Sequence, residues 1–253
     1  MDTIYILGAN GFIGRHLVHF YQGKDHVIPL TKADLDITNM EHYARYDFQN
    51  SLIIDCIAKI DGSPEEIQAT NVTGLKQFLA YLAAQQVIYT YLYISTLDEH
   101  MAANHTYAAS KFRAENLVRK HCPDHKIVRL SYPFGPGEAA NRLISQLIHK
   151  ALGNEAITIA DISLQLTPVD GLIKVLPEVL RQPGTEMNLV GERNYPLKEI
   201  VRYIFLKINQ SPIFTLQKSS RVPAPLSDFY PVPPVKTIFE TIDQLVDEIK
   251  THH

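Results

Sequence analysis

Seven residues near the start constrain this chain most. GANGFIG, with glycines at 8, 11 and 14, follows directly on the short apolar run Thr3–Leu7. Such a run ending in glycines and opening onto a helical pattern predicts a buried strand, a tight turn and a helix. The first glycine permits the turn, the second lets a backbone approach a pyrophosphate, and the third lets helix pack closely on strand. The new helix would present unbonded N–H groups and a positive dipole end to phosphate. Phe12, Ile13, Leu17, Val18 and Phe20 recur at helical spacing and predict that helix over Phe12–Tyr21. Gly8, Asn10, Gly11, Phe12, Ile13 and Gly14 are therefore candidate contacts for a dinucleotide.

The pattern continues as an alternation. His26–Leu30, Ser51–Ile57, Val87–Ile94 and Lys126–Leu130 read as strands, the fourth rich in β-branched and aromatic residues. Val72–Ala84 and Thr106–His121 read as helices between them. Strands separated by helices of this length predict βαβ units and a Rossmann-type, doubly wound parallel sheet. Beyond Tyr132 the elements shorten: helices Arg142–Leu152, Gly171–Leu180, Leu197–Ile208 and Val235–Lys250, with strands Ala156–Ala160, Glu186–Val190 and Ile213–Leu216. Val222–Pro234 holds five prolines and predicts an extended surface segment. The expected organisation is a dinucleotide-binding core over 1–132. A small substrate-binding lobe over 133–253 would return some elements to that core.

Composition narrows the function classes. Lys and Arg number 24 against 27 Asp and Glu, so charge gives no reason to expect nucleic acid as a partner. No apolar run reaches the roughly 18 residues of a membrane span, and the first residues lack the basic segment of a signal peptide. Cys56 and Cys122 are too few and too far apart for a disulfide framework or zinc knuckle. The histidines are scattered, so no metal site is expected. These features predict a cytoplasmic protein.

Three further places carry chemistry. A dinucleotide fold usually closes its second strand with an acid on the ribose. Here the strand runs into Thr31-Lys32, and a hydroxyl with a cation suits a 2′-phosphate, so NADP(H) is favoured and NAD(H) remains open. Asp36 is placed to meet the adenine. The second place is Ser95-Thr96, ending the apolar fourth strand, followed by Tyr107 and Lys111 four apart on one helix face. An ammonium lowers a phenol's pKa, so Tyr107 can exchange a proton with a carbonyl or alcohol near neutral pH. The hydroxyl of Thr96 or Ser95 would orient the same oxygen. A second pair at that spacing, Tyr203–Lys207, has no Ser/Thr strand end before it and reads as core plus surface lysine. The third place is Arg142 and Arg193, either of which could meet a substrate diphosphate.

Taken in order, GANGFIG, LTKADLDIT, Asn71-Val-Thr-Gly74, YIST ending at Thr96, Tyr107–Lys111, RLSYPFGPG from Arg129, LTPVDGL (166–172), MNLVG and PLKEI resemble the extended short-chain dehydrogenase/reductases. Within them the chain resembles the NAD-dependent epimerase/dehydratase group and its dTDP-4-dehydrorhamnose reductase-like branch. The resemblance implies a nicotinamide cofactor, a Thr96/Tyr107/Lys111 active site and a nucleotide-sugar substrate. It adds Ala58, Ser95, Pro133 and Asn71 to the cofactor contacts, with Asn71 near the fourth strand's end. Ser95, Thr96, Phe134 and Arg142 become the substrate contacts.

Three departures stand out: Tyr107 follows Thr96 by only eleven positions, Gly171 replaces the second acid of a Val-Asp-Asp segment, and the last lobe is compact. The expected activity is NAD(P)H-dependent reduction of a nucleotide-linked 4-keto-6-deoxy sugar. The alternatives are an epimerase using bound NAD and a non-catalytic dinucleotide sensor. Family dehydratases follow the threonine with Asp-Glu, whereas here Leu97 precedes Asp98 and Glu99, which argues against dehydration. The resemblance also implies a homodimer through the helices near Glu66–Ala84 and Thr106–His121. Their apolar residues Phe78, Leu79, Leu82, Phe112, Leu117 and Val118 fall on more than one face.

Overall fold

The computed structural model describes residues 3–24, 26–97, 105–218 and 229–251. Its contacts divide the chain into two compact units, Met1–Leu130 with Leu176–Asn188, and Ser131–Val175 with Leu189–His253.

In the first unit, β1 (Thr3–Leu7) leads through the glycine turn into α1 (Phe12–Tyr21) and β2 (Val27–Leu30). A 3-10 turn, Met40–Arg45, precedes β3 (Ser51–Asp55). Then α2 (Pro64–Gln68), a π-helical turn Ala69–Gly74 and α3 (Leu75–Ala84) run on without a break. They are followed by β4 (Tyr89–Thr96), α4 (His105–His121) and β5 (His125–Leu130). The five strands are parallel in the order β2-β1-β3-β4-β5, and the strand Glu186–Val190 lies beyond β5. This is a Rossmann-type α/β sheet, as the alternation predicts.

Both faces of the sheet are apolar, as a parallel sheet covered on both sides requires. Tyr5, Leu7, Ile53, Tyr91, Tyr93 and Ile127 point to one face and pack with Leu75, Phe78, Leu79, Leu82, Ala114 and Val118 of α3 and α4. The intervening Ile6, Ile54, Leu92, Ile94 and Val128 are also buried. The strand order reverses beside β1, and in such sheets ligands bind in the crevice at the carboxyl ends of the strands there. One detail was not anticipated. The helix before β4 starts earlier than Val72, at Pro64. Ser63 accepts the Glu66 N–H while Glu66 accepts the Ser63 N–H, and Pro64 occupies the first turn. Between β2 and β3 there is a 3-10 turn and no strand among the described residues.

The second unit has its own core, drawn from α5 (Leu143–Leu152), α7 (Leu197–Lys207) and α8 (Ile238–Thr251). Short parallel strands pair Ile157–Ala160 with Phe214–Gln217 and Pro133–Phe134 with Thr167–Pro168. The chain passes to the first unit within α6 (Val169–Arg181) and returns within the strand Glu186–Val190. The proline-rich segment needs a correction where it is described. Phe229–Pro231 is a strand, the Val232 N–H donates to the Val190 carbonyl at 2.9 Å, and the Val232 side chain is buried. The remainder of that segment, 222–228, lies outside the described residues. Among the described residues no helix is long and apolar enough to cross a membrane.

Candidate active site

The glycine turn has the geometry of a phosphate cradle. Gly8 sits at φ +71° and accepts the Gly11 N–H at 2.9 Å. A Cβ on Gly14 would lie 2.2 Å from the Gly8 carbonyl oxygen, so only glycine lets α1 start this close to the turn. No side chain caps α1, which leaves its first N–H groups without a side-chain partner. Arg15 folds back over the turn, its guanidinium donating to the Asn10 carbonyl at 3.0 Å and the Gly11 carbonyl at 3.4 Å. Beside the turn lies a cleft of about 220 Å³ whose lining includes Gly8, Asn10, Gly11, Lys32, Asp36 and Ala58. Phe12 and Ile13 are partly exposed at the start of α1. Open backbone, a helix start and a flanking cleft fit a bound dinucleotide. Lys59 and Thr70 also line the cleft and were missed in the sequence.

The loop after β2 corrects one expectation. An acid does stand here: Asp34 accepts the Thr31 hydroxyl at 2.6 Å and the Thr31 N–H at 2.9 Å. Those two hydrogen bonds hold the Asp34 carboxyl below its ordinary pKa. The Thr31 hydroxyl therefore serves the loop, while Lys32 lines the cleft together with Lys59. The Lys32 ammonium is 3.6 Å from Asp36. Burial pushes the Asp36 carboxyl up, but the Thr38 hydrogen bonds and the Lys32 charge outweigh it and leave it lowered.

At the end of β4 the sheet delivers Ser95 and Thr96, and α4 delivers Tyr107 and Lys111. Lys111 is 2% exposed; its ammonium donates to the Ile94 carbonyl at 2.7 Å and lies 4.0 Å over the Tyr93 ring. Burial lowers its pKa to about 8, against the opposing pull of Asp55, Cys56 and Glu115. Tyr107 and Thr96 are both partly exposed. Ser95 requires a correction: it is buried, and its hydroxyl donates to Glu115 at 2.6 Å rather than facing a ligand. Of the two hydroxyls at this strand end, only that of Thr96 belongs to a partly exposed residue.

Glu115, one turn beyond Lys111, anchors a network absent from the sequence reading. Arg129 of β5 grips it with two bonds of 2.9 and 2.7 Å, and Arg119 adds one of 2.9 Å. Both arginines also bind Glu186, at 2.5 and 2.6 Å. Four charges thereby tie α4, β5 and the strand at Glu186 together behind the Ser95–Thr96 strand end.

Asn71 is held by the loop after β3 and by α4. It is buried in the π-helical turn after β3, where it accepts the Lys59 N–H and donates to the Lys59 carbonyl and the Ser110 hydroxyl. Ser110 in turn donates to the Tyr107 carbonyl. Asn71 therefore braces the loop after the third strand against α4.

Pro133, Phe134 and Arg142 belong to the second unit. Phe134 is buried in that unit's core, which removes its ring from the candidate substrate contacts, and Arg142 donates to the Pro133 carbonyl at 3.4 Å. Arg193 stacks 4.6 Å over Tyr195. Gly171 has a packing reason: a Cβ there would lie 2.9 Å from the Pro233 carbonyl oxygen, so no second acid fits. The other Tyr/Lys pair is tied down, Tyr203 donating to Asp243 at 2.9 Å and Lys207 pairing with it at 3.2 Å. Asp98, Glu99 and most of the short segment before Tyr107 lie outside the described residues. No group of metal-ligating side chains occurs among the described ones.

Comparison with known proteins agrees with this arrangement. The family described as NAD dependent epimerase/dehydratase matches residues 4–169. A dTDP-4-dehydrorhamnose reductase from Mycolicibacterium smegmatis is 25% identical over 178 residues, 62% of this chain and 54% of that protein. The chain thus spans about half the length of this curated relative. A UDP-glucose 4-epimerase from Thermotoga maritima, solved with UDP-glucose, has a TM-score of 0.80 at 14% identity over 99% of both chains. RMD from Pseudomonas aeruginosa, complexed with NADPH, has a TM-score of 0.80 at 16% identity over 100% of both. At those identities the likeness to the solved structures is one of fold. The family match, covering more than half the chain and including the glycine turn, Thr96, Tyr107 and Lys111, identifies this protein as a member of the NAD dependent epimerase/dehydratase family.

Proposed function

We propose that the chain is an NADPH-dependent reductase of a nucleotide-linked 4-keto-6-deoxy sugar. The observation that carries the reading is the pairing of Tyr107 and Lys111 one turn apart on α4. Lys111 is buried and bonded to Ile94, two residues before Thr96. When bound, the nicotinamide supplies a hydride for the keto carbon. Tyr107 donates the proton to the carbonyl oxygen, Thr96 orients that oxygen by a hydrogen bond, and Lys111 lowers the phenol's pKa and meets the ribose. The likeness to a dTDP-4-dehydrorhamnose reductase and a UDP-glucose 4-epimerase supports a nucleotide sugar as substrate.

Leu97 favours reduction over dehydration. Its N–H donates to the Leu130 carbonyl at 3.0 Å, so the backbone is still in sheet register where a dehydratase would carry its first acid. Leucine cannot transfer a proton. One NADPH should be consumed per nucleotide-4-keto-6-deoxyhexose, followed by absorbance of the nicotinamide and NMR of the sugar. Dehydrated or epimerised sugar formed without net cofactor consumption would overturn the assignment.

The preference for NADPH rests on Lys32, whose side chain is 83% exposed beside the cleft. Lys32→Ala should weaken NADPH by about tenfold, roughly one charge-assisted contact, and leave NADH nearly unchanged, by calorimetry. Equal losses for both would remove Lys32 from that role.

A homodimer belongs to the same reading, on different grounds from the sequence argument. Phe78, Leu79, Leu82 and Val118 are buried in the unit's own core and say nothing about a partner. Phe112 on α4 is 54% exposed and supports pairing with a second copy. Light scattering at micromolar concentration should give twice the chain mass, and Phe112→Asp should halve it.

A further inference from the structure

Lys111 poses a problem that the proposed reaction leaves open. An ammonium taken out of water loses its hydration and tends to shed its proton. The proposed role needs it charged.

On its own helix, Glu115 is already held by Arg119 and Arg129 at 2.9 and 2.7 Å. Tyr107, as the proposed proton donor, enters the reaction in its neutral form. From β4 come Tyr91 and Tyr93, whose hydroxyls burial pushes well above the ordinary phenol value, so both stay neutral. After β3 comes Cys56, whose thiol burial pushes up, so it too is uncharged. At the end of α4, Cys122 behaves likewise and is pushed up to about 12. The remaining group is Asp55, the last residue of β3.

Its position follows from the sheet register. Asp55 pairs with Tyr93 across β3 and β4, and the Lys111 ammonium lies over the Tyr93 ring. Asp55 is 1% exposed, and no cation within salt-bridge distance neutralises it among the described residues. Its carboxyl accepts the Tyr91 hydroxyl at 2.7 Å and the Ile57 N–H at 2.9 Å; burial pushes it above its ordinary pKa, and the Lys111 charge and these two bonds oppose that rise. A buried carboxylate supplied with donors thus stands in register with the tyrosine whose ring carries the Lys111 ammonium.

We propose that Asp55 is the positioning residue that keeps Lys111 a cation in its buried place between β4 and α4. Asp55 itself touches neither substrate nor cofactor in this role. Its consequence for catalysis rests on the reductase reading, while the charge pairing does not.

The test separates the two. Protein labelled with ¹³C at lysine Cε is titrated by NMR, the Lys111 signal being assigned by its loss in Lys111→Met. The native chain should show a Lys111 midpoint near pH 8. In Asp55→Asn, which keeps the acceptor for Tyr91 and removes the charge, the midpoint should fall by about one pH unit or more. The alkaline limb of the kcat/KM profile should fall with it. Should Asp55→Asn fail to fold, Tyr91→Phe decides: it weakens ionised Asp55 and should lower the midpoint by a smaller amount. An unchanged or higher midpoint in the folded variant overturns the proposal. A lowered midpoint with an unmoved kcat/KM profile upholds the charge pairing and counts against the catalytic reading instead.

Discussion

Tyr107→Phe is expected to bind the dinucleotide as tightly as the native chain and to turn over about 10² to 10⁴-fold more slowly, the usual worth of a positioned general acid. The substitution removes one oxygen from a partly exposed side chain on α4. The first unit's packing through Ala114 and Val118 of the same helix should persist, and so should the Lys111–Ile94 bond. The loss should therefore appear in kcat and in kcat/KM together, as for an interaction made only in the transition state. Tyr203→Phe is the matched control. It breaks one hydrogen bond to Asp243, costs about 1 kcal/mol of stability, and should leave kinetics unchanged. Equal rates for the two variants would remove Tyr107 from the reaction.

Why Tyr107 was legible and Glu115 was not is a matter of sequence distance. The Tyr/Lys pair is local: one helical turn sets it, and the strand end before it separates it from Tyr203–Lys207. The glycine turn is local as well, since Gly8, Gly11 and Gly14 meet through backbone contacts within one loop. Glu115 acquires meaning only when sheet order places Arg129 of β5 beside it and brings Glu186 from a distant strand. No spacing rule in the sequence encodes that meeting. Asp55 was hidden differently: inside SLIIDCI it sits in an apolar run, and its charge matters only through its register with Tyr93.

The Thr31–Asp34 lock did have a local signal. A hydroxyl residue followed three positions later by an acid is a familiar reciprocal hydrogen-bonding pattern.

Gly14→Ala should be the most damaging small substitution in the cofactor cradle. Alanine is the better helix former by up to about 1 kcal/mol, and an exposed glycine in a helix would be improved by it. Here the added methyl would sit 2.2 Å from the Gly8 carbonyl oxygen and 2.9 Å from the Ala9 Cα, both backbone atoms. Neither can swing aside as a side chain would. Ala9 is bonded to the Leu30 carbonyl at 3.1 Å, and the Gly8 carbonyl already accepts Gly11. Relief therefore means moving α1 bodily off β1, against the burial of Leu17 and Tyr21. Overpacking of this kind costs about 1–3 kcal/mol, and the steric loss should exceed the helix gain. A net loss of about 2 kcal/mol would lower Tm by roughly 4–8 °C for a chain of this size. The helix start and the turn would separate by the same movement, so dinucleotide affinity should fall by more than tenfold. Calorimetry of cofactor binding on the folded variant checks this, because a helix that merely gained an alanine would bind as before and melt higher.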